Sequence, residues 1–462
     1  MLACTYMQRA LDACSAAIRP LSERYYRFFS VGEIESEPIL QWFFGAMLFF
    51  FFVTFNVWIG SSYATVEAAS NAVCWPYFQN CTGLYFLHAL PYGYSQATFY
   101  MALYAVMMLI VWCMWKKYWS GAHALLALLL LWKTFVVFLL SYTISGPYDY
   151  YHIFLTAILL FVPFKEFFLK LSFVFMYFMS ATTKLDSTWT LGTYFTALKT
   201  GLPIFPDALT LPITNLVIGM QIIGAWFLIS RKMIVQRLAL IFFTAFHVYS
   251  GILVYYRYPS VSVLGLIILF GPLYRYTKIP FSRKAIAGWT IIGLIGLFQV
   301  LGFVIPTDRR MTLEGNRFGM FMFEANHQCV MTVTSYTPGS VKTTSRHAVP
   351  GASCNGFDCL VETNTSTVDG MIVQEQRYES ASAWNRCDPY VWFSQLQSRC
   401  ASGASRIALR EDHSINGGPF YRIVDVPDIC SVAYAPFKRN DWIKEPPEAQ
   451  LVGYPVENVY RY

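Results

Sequence analysis

Ser180-Ala181-Thr182-Thr183-Lys184-Leu185-Asp186-Ser187-Thr188-Trp189 follows an apolar run, Leu171 to Met179, and sets a lysine at the mouth of a hydrophobic segment. A charged amine at that depth is costly. Such a lysine either snorkels to the interface or is retained for chemistry. From position alone, snorkelling is the plainer reading. The choice depends on whether the surrounding segments cross a membrane.

Composition points that way. Of 462 residues, 56% are hydrophobic and only 13% charged, where a soluble chain carries about 25% charge. Much of the formal charge of +7 lies in short loops between apolar runs, so it calls for no nucleic acid partner. No secretory signal core is visible in residues 1–39. Tyr6 to Phe29, with Arg9, Arg19, Arg24 and Arg27, reads as an amphipathic segment on the inner membrane surface. An organelle-targeting role for the same arginines is the rival, weakened by Glu23.

Nine apolar runs follow: 40–59, 97–115, 122–142, 153–163, 167–183, 211–229, 238–256, 261–274 and 285–305. Runs near 20 residues span a bilayer as helices, and shorter ones need tilt or shielding by neighbours. With the N-terminus in the cytoplasm, the basic loops 116–117, 231–237 and 275–284 and the Lys165 turn all fall inside. The loop 60–96, the His152 and Lys184 regions and the C-terminal portion fall outside. The expected architecture is a membrane all-α bundle of about nine transmembrane helices (40–305), preceded by a cytoplasmic segment (1–39).

Beyond Pro306 the chain turns polar. Alternation in Cys329-Val330-Met331-Thr332-Val333-Thr334 and in Arg406-Ile407-Ala408-Leu409-Arg410 predicts strands. Residues 306–462 therefore read as an extramembrane, mainly-β domain. Its six cysteines, Cys329, Cys354, Cys359, Cys387, Cys400 and Cys430, suggest disulfides in an oxidising compartment, with 15 pairings open. Cys74 and Cys81 join them as candidates in the outer loop. Cys354 and Cys359 lack a second ligand pair at zinc spacing, so no metal is expected. Asn80 and Asn364 head glycosylation tripeptides on the same side, a pattern that also arises by chance. The compartment outside is then the endoplasmic reticulum lumen or the bacterial periplasm.

Four of the ionisable side chains in or beside the apolar runs stand out: Lys133, His152, Lys184 and His247. Lys133 reads as packed against polar groups inside the bundle or a water-filled cavity, and His247 as a core histidine bonded to a carbonyl. His152 and Lys184 share the outer level, which allows a joint site. A desolvated lysine can serve as a base, and an apolar setting suits a lipid-like or quinone-like substrate.

Phe178-Met179-Ser180-Ala181-Thr182-Thr183-Lys184-Leu185-Asp186-Ser187-Thr188-Trp189 resembles the core motif of the vitamin K-dependent γ-glutamyl carboxylases and the bacterial HTTM-domain proteins. Tyr150-Tyr151-His152-Ile153-Phe154-Leu155 is similar to the segment holding that family's second catalytic residue, and Phe246-His247 to its Phe-His helix. Asn316-Arg317-Phe318-Gly319-Met320-Phe321-Met322, Ser414-Ile415-Asn416 and the stretch from Asp428 to Ile443 are similar to its outer-domain motifs. Three departures stand out. Thr183 replaces a family lysine, only 31 residues lie between His152 and Lys184, and the outer domain is short.

The resemblance implies Lys184 as the base that deprotonates vitamin K hydroquinone or a related quinol, His152 as its catalytic helper, and Asp186, Trp189 and His247 around substrate or cofactor. Dioxygen and carbon dioxide would be co-substrates, and a peptide or protein glutamate at the outer face the acceptor. The departures bear on carboxylation more than on quinol oxidation. The alternative is a catalytically degenerate member, a lipid- or quinone-binding or structural subunit beside other membrane subunits. Absence of inverted repeats argues against a transporter.

Overall fold

The computed structural model describes residues 20, 22–54, 75–76, 92–135, 147–196, 201–254, 257–315, 319, 321, 325–339, 345–355, 358–381, 387–401 and 404–452. Most of the expected N-terminal amphipathic segment, and Cys74, Asn80 and Cys81, lie outside these.

Each apolar run of the sequence contributes a helix: α1 Pro38–Val53, α2 Tyr92–Trp115, α3 Trp119–Thr134, α4 Pro147–Phe161, α5 Lys165–Thr182, α6 Thr210–Ile222, α7 Met233–Val254, α8 Arg257–Phe270 and α9 Ile286–Val304. Two stretches, Met233–Gly251 and Arg283–Val304, are long and apolar enough to cross a membrane, while α1, α4 and α8 are shorter apolar helices. The run expected over 211–229 leaves the α-helical path at Ile222 and continues as a 3-10 segment, Gly224–Ile229. Gly219 and Gly224 lower helix propensity there.

Most of the helices pack through an apolar core that includes Phe43, Phe44, Leu126, Leu159, Phe168, Val174, Phe243 and Leu269, while α6 packs through Ile218 against Trp189, Tyr194 and Phe195. A cluster of their charges stands at one end. Glu33 accepts from the backbone amides of Phe164 and Lys165 at 3.0 and 2.8 Å, satisfying the start of α5, whose own cap residue supplies no side-chain bond. Arg275 reaches Glu37 at 2.6 Å and Glu166 at 2.7 Å, tying the starts of α1 and α5 together. Lys170 completes that cluster at 2.6 Å from Glu166.

At the other end stands an antiparallel seven-stranded sheet in the order β2-β3-β4-β1-β5-β6-β7. Its strands are β1 His327–Pro338, β2 Ser345–Asn355, β3 Asp358–Val368, β4 Met371–Ala381, β5 Arg406–Ile415, β6 Phe420–Val426 and β7 Gln450–Val452. Both alternating stretches singled out from the sequence fall in the sheet, in β1 and β5. Helix α10, Pro389–Ala401, covers it through Tyr390, Trp392 and Leu396, which share a core with Met331, Leu409 and Ile423.

Two disulfides, Cys329–Cys387 and Cys400–Cys430, anchor α10 at both ends. Cys354 and Cys359 are register partners across β2 and β3. Asn364 lies within β3, paired with Arg346 on one side and Glu375 on the other, rather than in a loop.

Candidate functional site

Lys184 occupies a joint between two local structures. Helix α5 closes on itself, with the hydroxyls of Thr182 and Thr183 donating to the carbonyls of Met179 and Ser180. The amide of Lys184 still donates to the Ala181 carbonyl at 2.9 Å. Two residues on, Asp186 caps the turn Ser187–Thr190, accepting from the Thr188 amide at 2.6 Å and its hydroxyl at 2.5 Å. The motif thus reads locally as helix end, lysine, cap and turn.

The side chain of Lys184 turns inward and is only 3% exposed. Its Nζ donates to Oε1 of Gln221, from α6, at 3.0 Å and lies 5.2 Å from the ring centroid of Trp189. Trp189 is fixed by stacking on Tyr194 at 5.3 Å and by an edge contact with Phe195 at 5.1 Å. His247, from α7, pairs through Nε2 with the hydroxyl of Tyr177, from α5. Lys184 lies within electrostatic range of that histidine. Lys184, Trp189 and Gln221 therefore form one nest, and the Tyr177–His247 pair stands near it.

Asp186 is placed differently. Besides capping, its carboxylate meets Arg310 at 3.4 Å, in the segment that leads from α9 toward the sheet. Asn326 reinforces that contact between the two parts, donating to the Tyr194 carbonyl at 2.7 Å.

His152 takes part in a second cluster. Its Nε2 donates to the Met47 carbonyl at 3.0 Å, which leaves Nδ1 to accept from Lys133 Nζ at 3.1 Å. Lys133 also pairs with Asp149 at 2.7 Å, and the rings of Phe50 and Phe51 flank both the amine and the imidazole. All three ionisable groups are buried. The joint site with Lys184 expected from a shared outer level is thus divided between two sets of contacts. A level along the bundle does not specify which face a side chain takes, and His152 shares its face with Asp149, three residues earlier on α4. The reading of Lys133 as packed against polar groups within the bundle matches its place, and Asp149 is the partner that reading lacked.

Reading the sequence passed over Gln221, Tyr177 and Asp149. Gln221 was visible as an amide inside the apolar run Ile218-Gly219-Met220-Gln221-Ile222, and Asp149 as an acid at the head of another.

Above the Lys184 joint lies a pocket of about 580 Å³, lined by Thr183, Leu185 and Asp186 on one side and by Phe303, Arg309 and Arg310 on the other. No family model matches this chain, and neither a curated protein nor a solved structure with significant similarity was found.

Proposed function

We propose that the chain is a multi-pass membrane enzyme that oxidises a quinol, with Lys184 as the base. The observation that carries this reading is the buried amine of Lys184, held by Gln221 against Trp189 and beside the Tyr177–His247 pair.

The membrane placement rests on the outward faces of the helices. Met101, Trp112 and Trp115 on α2, Leu238, Ile241 and Val248 on α7, and Leu297, Val300 and Val304 on α9 are all exposed. Soluble monomers rarely expose apolar surface on that scale. Nine spans with the N-terminus inside put the Glu166–Lys170–Arg275 cluster and the basic loops in the cytoplasm and the disulfide-bearing sheet outside. The outer compartment is an endoplasmic reticulum lumen or a periplasm.

In the reaction, Nζ of Lys184 takes the phenolic proton of the quinol. Gln221 accepts one amine hydrogen and so directs the nitrogen lone pair away from itself, toward substrate. The indole of Trp189 offers a flat apolar wall for the quinol ring, and the Tyr177–His247 pair supplies a hydrogen-bonding group for a ring oxygen. Burial excludes water from the quinolate. In the fuller chemistry that the resemblance to the vitamin K-dependent carboxylases implies, quinol, dioxygen, carbon dioxide and a peptide glutamate yield quinone epoxide, γ-carboxyglutamate and water.

A second reading, a lipid- or quinone-binding family member without turnover, is favoured by the engagement of His152 with Lys133 and Asp149. One experiment separates them: purified full-length protein is given vitamin K hydroquinone and a glutamate peptide, with epoxide and peptide-bound labelled carbon dioxide measured. Epoxide with label supports the full reaction, epoxide alone supports quinol oxidation, and binding without either product supports the second reading.

A further inference from the structure

The pocket above the Lys184 joint is built from opposite charges over an apolar floor. Leu185, Phe303 and Phe321 form the floor. The guanidinium carbon of Arg309 lies 3.8 Å from the Phe303 ring centroid and 4.7 Å from that of Phe321. A guanidinium stacked on its faces presents its N–H edges to acceptors in its plane, the geometry that suits phosphate. The same pocket also holds carboxylates. Arg310 spans Asp308, through Nε and Nη2 at 3.0 and 3.1 Å, and Asp186, through Nη1 at 3.4 Å. Two carboxylates there share the Arg310 guanidinium and Arg309 adds a second guanidinium to the lining, so the pocket presents both signs of charge.

The apolar floor continues onto exposed surface: Leu185 is 58% and Phe303 46% exposed, and Val304 beside it 66%. Exposed Leu297, Val300 and Val304 lie three and four residues apart, so they continue that surface down one face of α9. A ligand with a zwitterionic head and hydrocarbon chains matches both parts.

We propose that this pocket binds a phosphatidylethanolamine-type lipid from the outer leaflet, its phosphate on Arg309, its ammonium toward Asp186 and Asp308, and its chains along α9. The inference rests on the membrane placement proposed above and not on Lys184 acting as a base. The ammonium can donate hydrogen bonds to these carboxylates, whereas a choline headgroup has no N–H to donate.

The test is native mass spectrometry of the full-length protein in detergent, titrated with phosphatidylethanolamine, phosphatidylcholine or soluble glycerophosphoethanolamine. Phosphatidylethanolamine is expected to bind at least about tenfold more tightly than phosphatidylcholine, a difference of about 1.4 kcal/mol. Arg309→Gln should remove that preference, with Arg309→Lys restoring part of it and both variants eluting as the wild type does. The soluble headgroup should compete weakly, since it lacks the chains. Equal binding of the two lipids, or a preference unchanged in Arg309→Gln, overturns the proposal. Failure of the membrane placement itself would look different: protein that remains dispersed without detergent and binds neither lipid.

Discussion

Nζ of Lys184 and Oε1 of Gln221 lie 3.0 Å apart, joining the end of α5 to the interior of α6. The contact fixes an amine that its own backbone joint would leave free to rotate.

Replacement of Gln221 separates two effects of that contact. Gln221→Leu leaves the amine without its acceptor and should cost about 1–3 kcal/mol of stability, together with most quinol turnover. Gln221→Glu gives the amine a carboxylate partner, which holds it as the cation. That variant should melt no lower than the wild type and still lose turnover. Thermal unfolding and quinol oxidation measured on both variants check the pair of outcomes.

Asp149→Leu should destabilise the bundle by about 3–5 kcal/mol, because it removes the carboxylate that balances the buried amine of Lys133. Lys133→Met combined with Asp149→Leu should recover much of that loss, since the pair is replaced by apolar groups. Denaturation of the single and double variants in the same detergent measures the difference. Equal destabilisation by the two would contradict the buried pairing.

Loss of the Cys329–Cys387 bridge, which closes a separation of 58 residues, should cost the sheet domain about 4 kcal/mol. The Cys400–Cys430 bridge, with a separation of 30, should cost slightly less. Hydrogen exchange of β1, β5 and α10 in Cys→Ala pairs should rise accordingly, with exchange in α5 and α7 unchanged.

The sheet domain also carries opposed titrations. Burial and then the nearby Asp388 and Asp412 hold the Glu411 carboxyl well above its ordinary value. Burial lowers His413 to about 4 and His327 well below the ordinary imidazole value of 6.5, and the two rings lie side by side with their nitrogens 3.1 Å apart. The contribution of Glu411 is fully present at low pH and lost as pH rises through its folded value. That of the histidines is present above pH 6.5 and lost as pH falls from there toward about 4. Protection of the sheet should therefore increase as pH is lowered through the folded Glu411 value and decrease as the histidines take up protons below 6.5. Glu411→Gln should abolish the increase, as read by hydrogen exchange of β5 across pH.

The positions of the helices were legible because apolar runs and the basic loops between them are local features. The strands at Cys329–Thr334 and Arg406–Arg410 were legible through alternation in the same way. Partner choice was not. Lys133 meets Asp149 because α3 and α4 pack with those faces together, and cysteine pairing follows from where α10 lies on the sheet. The motif around Lys184 was readable as a site, but Asp186 caps a turn and meets Arg310 from a segment more than a hundred residues away. Such roles depend on neighbours that composition and spacing do not encode.

The central claim is that the Lys184 amine acts as the base in quinol oxidation. Its most direct test is quinol turnover by purified wild-type and Lys184→Ala protein, with and without added small primary amines. A lysine base predicts a loss of roughly 10²–10⁴-fold in the variant, with partial recovery that increases with amine concentration. Turnover by Lys184→Ala equal to the wild type, without amine, would contradict it.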